Sequence, residues 1–162
     1  MSQEGAMGGE RAGVPLYFED VAVGDELPAW RRETGLLNWN RFAAVNDEFF
    51  EVHMDDAAAR AAENPQGAFG MGMMRFSYLH NLLRSWAGEE ADIREVGCRY
   101  RAVNQRGDVL GVTGRVTGTR IEGGDQLVDI ALDILNQDGE STTPGHAVVA
   151  LPSRARSDAP QP

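Results

Sequence analysis

Lysine is absent from this 162-residue sequence, so arginine supplies all 15 basic residues against 25 acidic ones. The net charge of −10 argues against a nucleic-acid duplex as partner, because a phosphate backbone is bound through clustered lysine and arginine. An anionic small molecule is still compatible with this charge, since it needs only a local group of cations. The composition therefore predicts no nucleic-acid partner.

Cysteine occurs once, at Cys98, so no disulfide can form within the chain, which fits a reducing compartment. No stretch approaches the ~20 apolar residues of a membrane-spanning helix. The first residues, MSQEGAMGGERAG, lack the charged-then-apolar pattern of a signal peptide. We therefore expect a cytoplasmic protein with no membrane association.

The length fits one domain. Residues 1–14 and 154–162 are polar or Gly-rich, and they contain too little apolar surface to offset the entropy of ordering. They are predicted to be a disordered N-terminus and a flexible tail. A single domain is expected over residues 15–153.

The N-terminal part of this domain shows short, mixed signals. Val21, Ala22 and Val23 form a strand-like piece before a Gly-Asp turn signal. A short edge strand is expected at residues 31–35. Apolar residues near helical spacing predict a helix over residues 38–45, and residues 46–52 read as a loop.

The strongest helical signal lies in the middle of the chain. Asp55 and Asp56 precede three alanines, a pattern typical of a helix start, because acidic side chains favour the positive end of the helix dipole. The sequence NPQG at residues 64–67 ends this helix. Residues 70–86 then carry apolar side chains on most sides, which predicts a long buried helix.

The C-terminal half alternates apolar and polar residues with a period of two, which is typical of strands. Turns rich in Asn, Asp and Gly separate the segments, as in β-hairpins. The predicted strands are residues 93–102, 109–121, 126–136 and 142–151. Together they predict an α+β fold in which an antiparallel sheet wraps the long central helix.

His53 is the first candidate for chemistry, because it follows a loop that carries Asp47 and Glu48. A carboxylate beside an imidazole can form an acid–base pair, with histidine as the proton acceptor. Since 25 of the 162 residues are acidic, such proximity also arises by chance, and an ordinary histidine is the alternative. A metal site is not expected, because His53 with Asp55 or Asp56 lacks a third ligand at suitable spacing.

Gly70 is the second candidate, because it stands at the start of the predicted central helix. A free backbone N–H there can stabilise a developing oxyanion with the help of the helix dipole. The alternative is that glycine merely lets the chain come close to the sheet.

Five further residues are candidates for a substrate pocket. The two aromatic ones either form a wall of this pocket or anchor the loop to the core. The other three, on the central helix, either face the pocket or pack in the core. These residues are Phe49, Phe50, Met71, Met74 and Ser77.

Several segments resemble the MaoC-like family of hot-dog-fold proteins, which includes the R-specific enoyl-CoA hydratases. The family motif is an aspartate, then Asn-Pro, a histidine five residues after the aspartate, and an acid two residues further on. The segment EFFEVHMD, residues 48–55, has this spacing without a gap. Further matches are FEDVAVGDEL (18–27), which resembles the family's first strand, AFGM (68–71), which resembles its Ala-His-Gly-Met, and GHAVVALP (145–152), which resembles its last strand.

The sequence departs from the family at three places, one of which is the Asn-Pro pair, where Phe49-Phe50 or Phe50-Glu51 stands instead. Glu48 stands where the family has aspartate, with Asp47 one residue earlier as the alternative acid. Phe69 stands where the family has the histidine before the glycine. Since some members of the family are inactive partners of an active subunit, these changes leave open a non-catalytic role.

The resemblance implies an enoyl-CoA hydratase, or 3-hydroxyacyl-CoA dehydratase, that acts on a trans-2-enoyl thioester, and it allows a bulky or long acyl chain. His53 and Glu48 would hold one water between them, and the Gly70 N–H would bond the thioester oxygen. The acyl-CoA is the substrate, and no cofactor or metal is expected. A homodimer or a heterodimer with a related hot-dog subunit is implied, and the alternatives are a non-catalytic subunit or an acyl-CoA thioesterase.

Overall fold

The computed structural model describes residues 15–154. The disorder predicted for residues 1–14 and 155–162 concerns residues outside this part of the chain. Arg154, predicted to begin the flexible tail, is instead held in place. Its guanidinium donates hydrogen bonds to both carboxylate oxygens of Asp20, at 2.6 and 2.8 Å.

The described residues form three α-helices and five strands in an α+β arrangement. The helices are α1 (Leu36–Asn46), α2 (Asp56–Ala61) and α3 (Gly72–Ala87). The strands are β1 (Trp30–Glu33), β2 (Asp92–Cys98), β3 (Val109–Glu122), β4 (Asp125–Leu135) and β5 (Gly145–Leu151). Two 3-10 turns lie at Phe18–Asp20 and Glu51–His53.

All five strands belong to one antiparallel sheet with the order β1-β3-β4-β5-β2. Strands β3 and β4 form the longest hairpin, whose turn is Gly123-Gly124. Both glycines have positive φ angles, of 60° and 91°, which glycine adopts at low cost. Strands β1 and β2 are the two edges of the sheet, and β2 has a register shift between Ile93 and Glu95.

Helix α3 packs on the sheet and forms the centre of the core, as its apolar pattern predicts. Leu79, Leu82 and Leu83 are fully buried. Gly114 of β3 allows the close approach, because a Cβ at that position would lie 3.3 Å from Leu82 and 2.9 Å from Leu27. The predicted α+β fold, with one long helix against an antiparallel sheet, is confirmed.

The structure corrects several predicted elements and boundaries. Residues 18–27 are not a strand, because the chain turns at Gly24 (φ 101°) and meets β3 only through an isolated bridge at Glu26. Strand β2 ends at Cys98 rather than at residue 102. Helix α3 begins at Gly72 rather than at Gly70.

No helix in the described residues is both long enough and apolar enough to cross a membrane.

Candidate active site

His53 is fixed by the backbone of the segment that leads into α3. It ends the 3-10 turn Glu51–His53 and is half-buried. Its Nδ1 lies 2.8 Å from the carbonyl oxygen of Phe69, and the Phe69 ring packs edge-on at 5.1 Å. Since a carbonyl can only accept, Nδ1 carries the proton in the neutral ring, and Nε2 is left as the acceptor. This is the tautomer that a general base requires.

The two candidate acids differ in their surroundings. Asp47 ends α1 in the left-handed conformation (φ 54°), which aspartate tolerates, and its side chain is exposed. Glu48 is half-buried, and its N–H donates to the carbonyl of Ala43 at 3.2 Å. Its charge also reaches Tyr100, whose pKa it helps to raise. Of the two acids, Glu48 is therefore the one turned towards the rest of the molecule.

His53 makes no direct ion pair with either acid. No carboxylate of the described residues lies within 4.0 Å of its ring nitrogens. The neighbouring aromatic residues Phe49 and Phe50 are exposed, and Phe50 lies 6.5 Å from the imidazole, ring centre to ring centre. Among the described residues Nε2 has no hydrogen-bond partner, so it can bind a small molecule.

Asp56 holds the segment that carries the Phe69 carbonyl. Its Oδ1 accepts the N–H of Ala68 at 2.9 Å and a guanidinium N–H of Arg106 at 2.8 Å. The Ala68 N–H, together with the charge of Arg106, lowers the pKa of the Asp56 carboxyl. Gly67 has a φ of 90°, and a Cβ there would lie 2.6 Å from this carboxylate. Asp56 therefore fixes the path of the chain into Phe69.

The loop that contains Asn104 and Gln105 also holds this segment. The amides of Asn64 and Gln105 bond each other reciprocally, at 3.0 and 3.1 Å, and Asn64 also donates to the carbonyl of Gly67. Asn104 is fully buried and donates to the hydroxyl of Thr34 at 3.1 Å. Two loops far apart in sequence thus hold each other through amide groups.

The Gly70 N–H is not free, which corrects its predicted role as an oxyanion donor. It donates to the backbone carbonyl of Asn104 at 2.8 Å. Gly70 also lies two residues before the helix and has no room for a side chain. A Cβ there would stand 2.1 Å from the Asn104 amide nitrogen. Gly70 therefore lets the chain come close to a neighbouring segment, which is the alternative role stated for it from the sequence.

The N-terminus of α3 lies beside this segment and has no side-chain cap. The ring of Tyr100 packs against Gly72 there, because a Cβ on Gly72 would lie 3.0 Å from that ring. Burial, followed by the neighbouring Cys98, raises the pKa of Tyr100 to about 12, and the Arg75 guanidinium opposes this shift. Tyr100 is therefore a neutral hydroxyl group at physiological pH.

Arg75 connects α3 to the loop after β2. It is buried and donates hydrogen bonds to the carbonyl of Ala102 at 2.6 Å and to the hydroxyl of Thr143 at 2.9 Å. Its guanidinium lies 5.1 Å from the centre of the Tyr100 ring. Burial lowers the pKa of this guanidinium, and no carboxylate in the described residues pairs with it.

A groove of about 750 Å³ lies between α1, α3 and β1. Of the predicted pocket residues, Met74 and Ser77 line it. Met71 is buried in the core, and Phe49 and Phe50 are exposed elsewhere. The structure therefore places two of the five candidates at this groove, and His53 is not among its lining residues.

Within the described residues, no group of three or more His, Cys, Asp or Glu side chains could hold a metal ion.

Sequence reasoning missed the residues that act through tertiary contacts. Asn104 and Gln105 have the composition of a turn, and nothing in the sequence marks them as a clamp for residues 64–70. Tyr100 lies in a segment that the sequence predicts as a regular strand, whereas β2 ends at Cys98. Only Arg75, a charge within an apolar helix, stands out in the sequence as an unusual residue.

Solved structures with the same arrangement of strands and helices reveal the fold. The R-hydratase PhaJ1 from Pseudomonas aeruginosa has a TM-score of 0.74 and 20% identity, covering 86% of this chain and 88% of that one. The MaoC-like dehydratase from Rhodospirillum rubrum has a TM-score of 0.72 and 24% identity, covering 86% and 98%. The chain has their hot-dog fold.

The ChsH1–ChsH2 complex from Mycobacterium tuberculosis is a third similar structure, with a TM-score of 0.71 and 21% identity over 80% of this chain and 98% of that one. No family model matches the sequence, and no curated protein matches it. The similarity in structure thus confirms the hot-dog fold expected from the sequence.

Proposed function

We propose that the protein is a hydro-lyase of the MaoC-like type, which adds water to a trans-2-enoyl-CoA or removes it from a 3-hydroxyacyl-CoA. The observation that carries this proposal is the bond between His53 Nδ1 and the Phe69 carbonyl. This bond leaves Nε2 as a proton acceptor in a fold shared with an R-hydratase.

In the proposed reaction, His53 and Glu48 hold one water between them. His53 Nε2 accepts a proton as the water oxygen bonds to Cβ of the enoyl thioester. The dyad then returns one proton to Cα, so both groups end in their starting states. The net result is that H and OH are added across the double bond, which needs no cofactor. General acid–base catalysis of this kind increases the rate by ~10²–10⁴-fold.

The thioester oxygen needs a donor other than the Gly70 N–H, which is occupied by Asn104. We place this oxygen at the first turn of α3, whose N–H groups have no side-chain cap. The positive end of the helix dipole supports a developing negative charge there.

The decisive experiment is hydration of crotonyl-CoA by purified wild-type protein and by His53→Ala. We expect the variant to keep the fold and to lose at least ~10²-fold in kcat. His146→Ala is a matched control, because His146 is exposed on β5 and bonds Glu95 at 3.0 Å. Full activity of His53→Ala would contradict the assignment.

The choice of acid is tested by Glu48→Gln against Asp47→Asn. Because Glu48 is half-buried and Asp47 is exposed, we expect Glu48→Gln to lose activity and Asp47→Asn to retain it. The reverse pattern would assign the acid to Asp47.

A non-catalytic subunit of a heteromeric hydratase is the second candidate. Glu48 replaces the expected aspartate, and one similar structure is a complex of two different chains, ChsH1 and ChsH2. Strand β2 is a sheet edge, and an unpaired edge favours pairing with a second chain. We propose a cytoplasmic dimer of identical or related hot-dog subunits.

This alternative predicts that the purified chain alone is inactive and that a second protein co-purifies with it. Size-exclusion chromatography with light scattering gives the subunit number. Release of free thiol from saturated acyl-CoA would instead indicate a thioesterase.

A further inference from the structure

The groove between α1, α3 and β1 includes the first turn of α3, where the proposed function puts the thioester oxygen. Asn46, which lines it, is two residues before Glu48, and Met74 lies in the first turn of α3. The lining continues along α3 to Asn81, which is ~10 Å further along the helix axis at 1.5 Å per residue. An acyl chain whose thioester lies at the first turn of α3 would therefore run along this helix towards Tyr78 and Asn81.

The lining of this groove is cationic, although the chain as a whole has a net charge of −10. It includes Arg31, Arg32 and Arg41, against Glu33 as the one carboxylate among the lining residues. None of these three guanidinium groups has a carboxylate within 4.0 Å in the described part of the chain. A purely hydrocarbon chain offers no partner for them.

Tyr78 supplies a second polar group on the same side. Its side chain is buried, and its hydroxyl lies near the Arg32 guanidinium but makes no hydrogen bond of good geometry in the described residues. Burial raises the Tyr78 pKa, and the charge of Arg32 only partly opposes this, so the hydroxyl keeps its proton. An unsatisfied buried donor is costly and rare in folded proteins. A ligand oxygen in the groove would satisfy it.

Arg32 and Tyr78 lie side by side. The guanidinium carbon of Arg32 is 5.9 Å from the centre of the Tyr78 ring and equally far from that of Trp30. Trp30 packs edge-on against Tyr78 at 5.0 Å, which fixes the ring. A planar cation next to a phenol hydroxyl is a suitable pair of donors for a carboxylate.

We propose that the groove selects an acyl chain whose distal end carries a carboxylate, bound by the Tyr78 hydroxyl and the Arg32 guanidinium. This inference rests on the proposed function, which places the thioester at the other end of the groove. The substrate class is then the mono-CoA thioester of an unsaturated dicarboxylic acid rather than of a simple fatty acid.

A phosphate group of CoA would meet the same cations, so the experiment must separate the two anions. Binding of octanoyl-CoA and of the mono-CoA thioester of octanedioic acid is measured by calorimetry. The same two acyl groups are then measured as pantetheine thioesters, which lack the phosphates. Since all four ligands are saturated, binding does not depend on hydration.

We expect the carboxylated chain to bind at least about tenfold more tightly, both as CoA and as pantetheine thioester. Arg32→Gln and Tyr78→Phe should each reduce this preference to less than about threefold. Arg120→Gln is the matched control, because Arg120 lies eleven residues along β3 from Val109 of the groove, ~36 Å away. Tyr78→Phe should not lower the melting temperature, because it removes a hydroxyl that makes no hydrogen bond of good geometry in the described residues.

Two results would overturn the inference. One is equal affinity for both chains in the wild-type protein. The other is an Arg32→Gln variant that weakens both CoA thioesters equally and leaves the pantetheine thioesters unchanged, which would assign the site to phosphate. A carboxylate preference in a protein that does not hydrate crotonyl-CoA would instead contradict the proposed function and leave the inference about the groove intact.

Discussion

Gly70 and Asn104 offer a test of the clamp that holds the Phe69 carbonyl against His53. In Gly70→Ala, the new Cβ would meet the Asn104 amide nitrogen at 2.1 Å and its oxygen at 2.5 Å. The amide cannot swing aside freely, because it is fully buried and bonded to Thr34. Overpacking in a closed site costs ~1–3 kcal/mol, and we expect the upper end here.

Asn104→Ala removes the obstructing group. It loses one hydrogen bond, worth ~1 kcal/mol, and it also removes a buried amide oxygen that has no partner in the described residues. The single change should therefore cost about 1–2 kcal/mol. In the double variant the alanine at position 70 occupies the space that the amide vacates, so the total should stay near that of Asn104→Ala alone.

The measurement is urea unfolding of the wild type, both single variants and the double variant. The sum of the single costs is roughly 4–5 kcal/mol, and we expect the double variant to be less destabilised by at least ~2 kcal/mol. Gly111→Ala is the matched control, because its nearest neighbour lies 3.9 Å away, and it should change stability by no more than ~0.5 kcal/mol. Additivity within ~0.5 kcal/mol would refute the clamp.

Three further predictions concern the core, the Asp56 carboxylate and the amide pair of Asn64 and Gln105. Leu82→Ala should cost ~2–5 kcal/mol in unfolding free energy, whereas Leu37→Ala on the exposed face of α1 should cost less than ~0.5 kcal/mol, both by urea unfolding. The Asp56 carboxyl has a lowered pKa in the fold, so the stability that it contributes is present above the unfolded pKa of ~3.9 and is lost as the pH falls through the folded pKa. The melting temperature of Asp56→Asn should therefore fall less between pH 5 and pH 2 than that of the wild type. Equal falls in the two proteins would contradict this. Asn64→Ala and Gln105→Ala should show a coupling energy of at least ~0.5 kcal/mol in a double-mutant cycle, and independent effects would mean that the reciprocal bonds contribute nothing.

The elements with a regular apolar period could be predicted from the sequence. The pattern at residues 70–86 gave the buried helix within two residues at its start, and the alternation after Gly88 located the hairpin β3–β4 within one residue at each end. Both follow from local periodicity, which the chain shows directly. The hot-dog fold expected from the motif spacing was confirmed by the similar structures.

The parts that could not be predicted depend on contacts between distant segments. The strand expected at residues 18–27 failed because Gly24 turns the chain and its N–H bonds to Val116 of β3. The bond from Gly70 to the Asn104 carbonyl joins residues 34 positions apart, and no local pattern encodes it. The roles of His53, Glu48 and Asp47 stay predictions until the variants are assayed.

The bond between His53 and Phe69 also means that the side chain at position 69 can differ from the motif's histidine without altering the proton on the imidazole. The acceptor is the main-chain carbonyl of residue 69, which every amino acid possesses. Replacing the motif's histidine by phenylalanine keeps this acceptor and adds an aromatic edge against the imidazole. Substitution of the side chain at position 69 should therefore leave the tautomer of His53 unchanged as long as the backbone keeps its path.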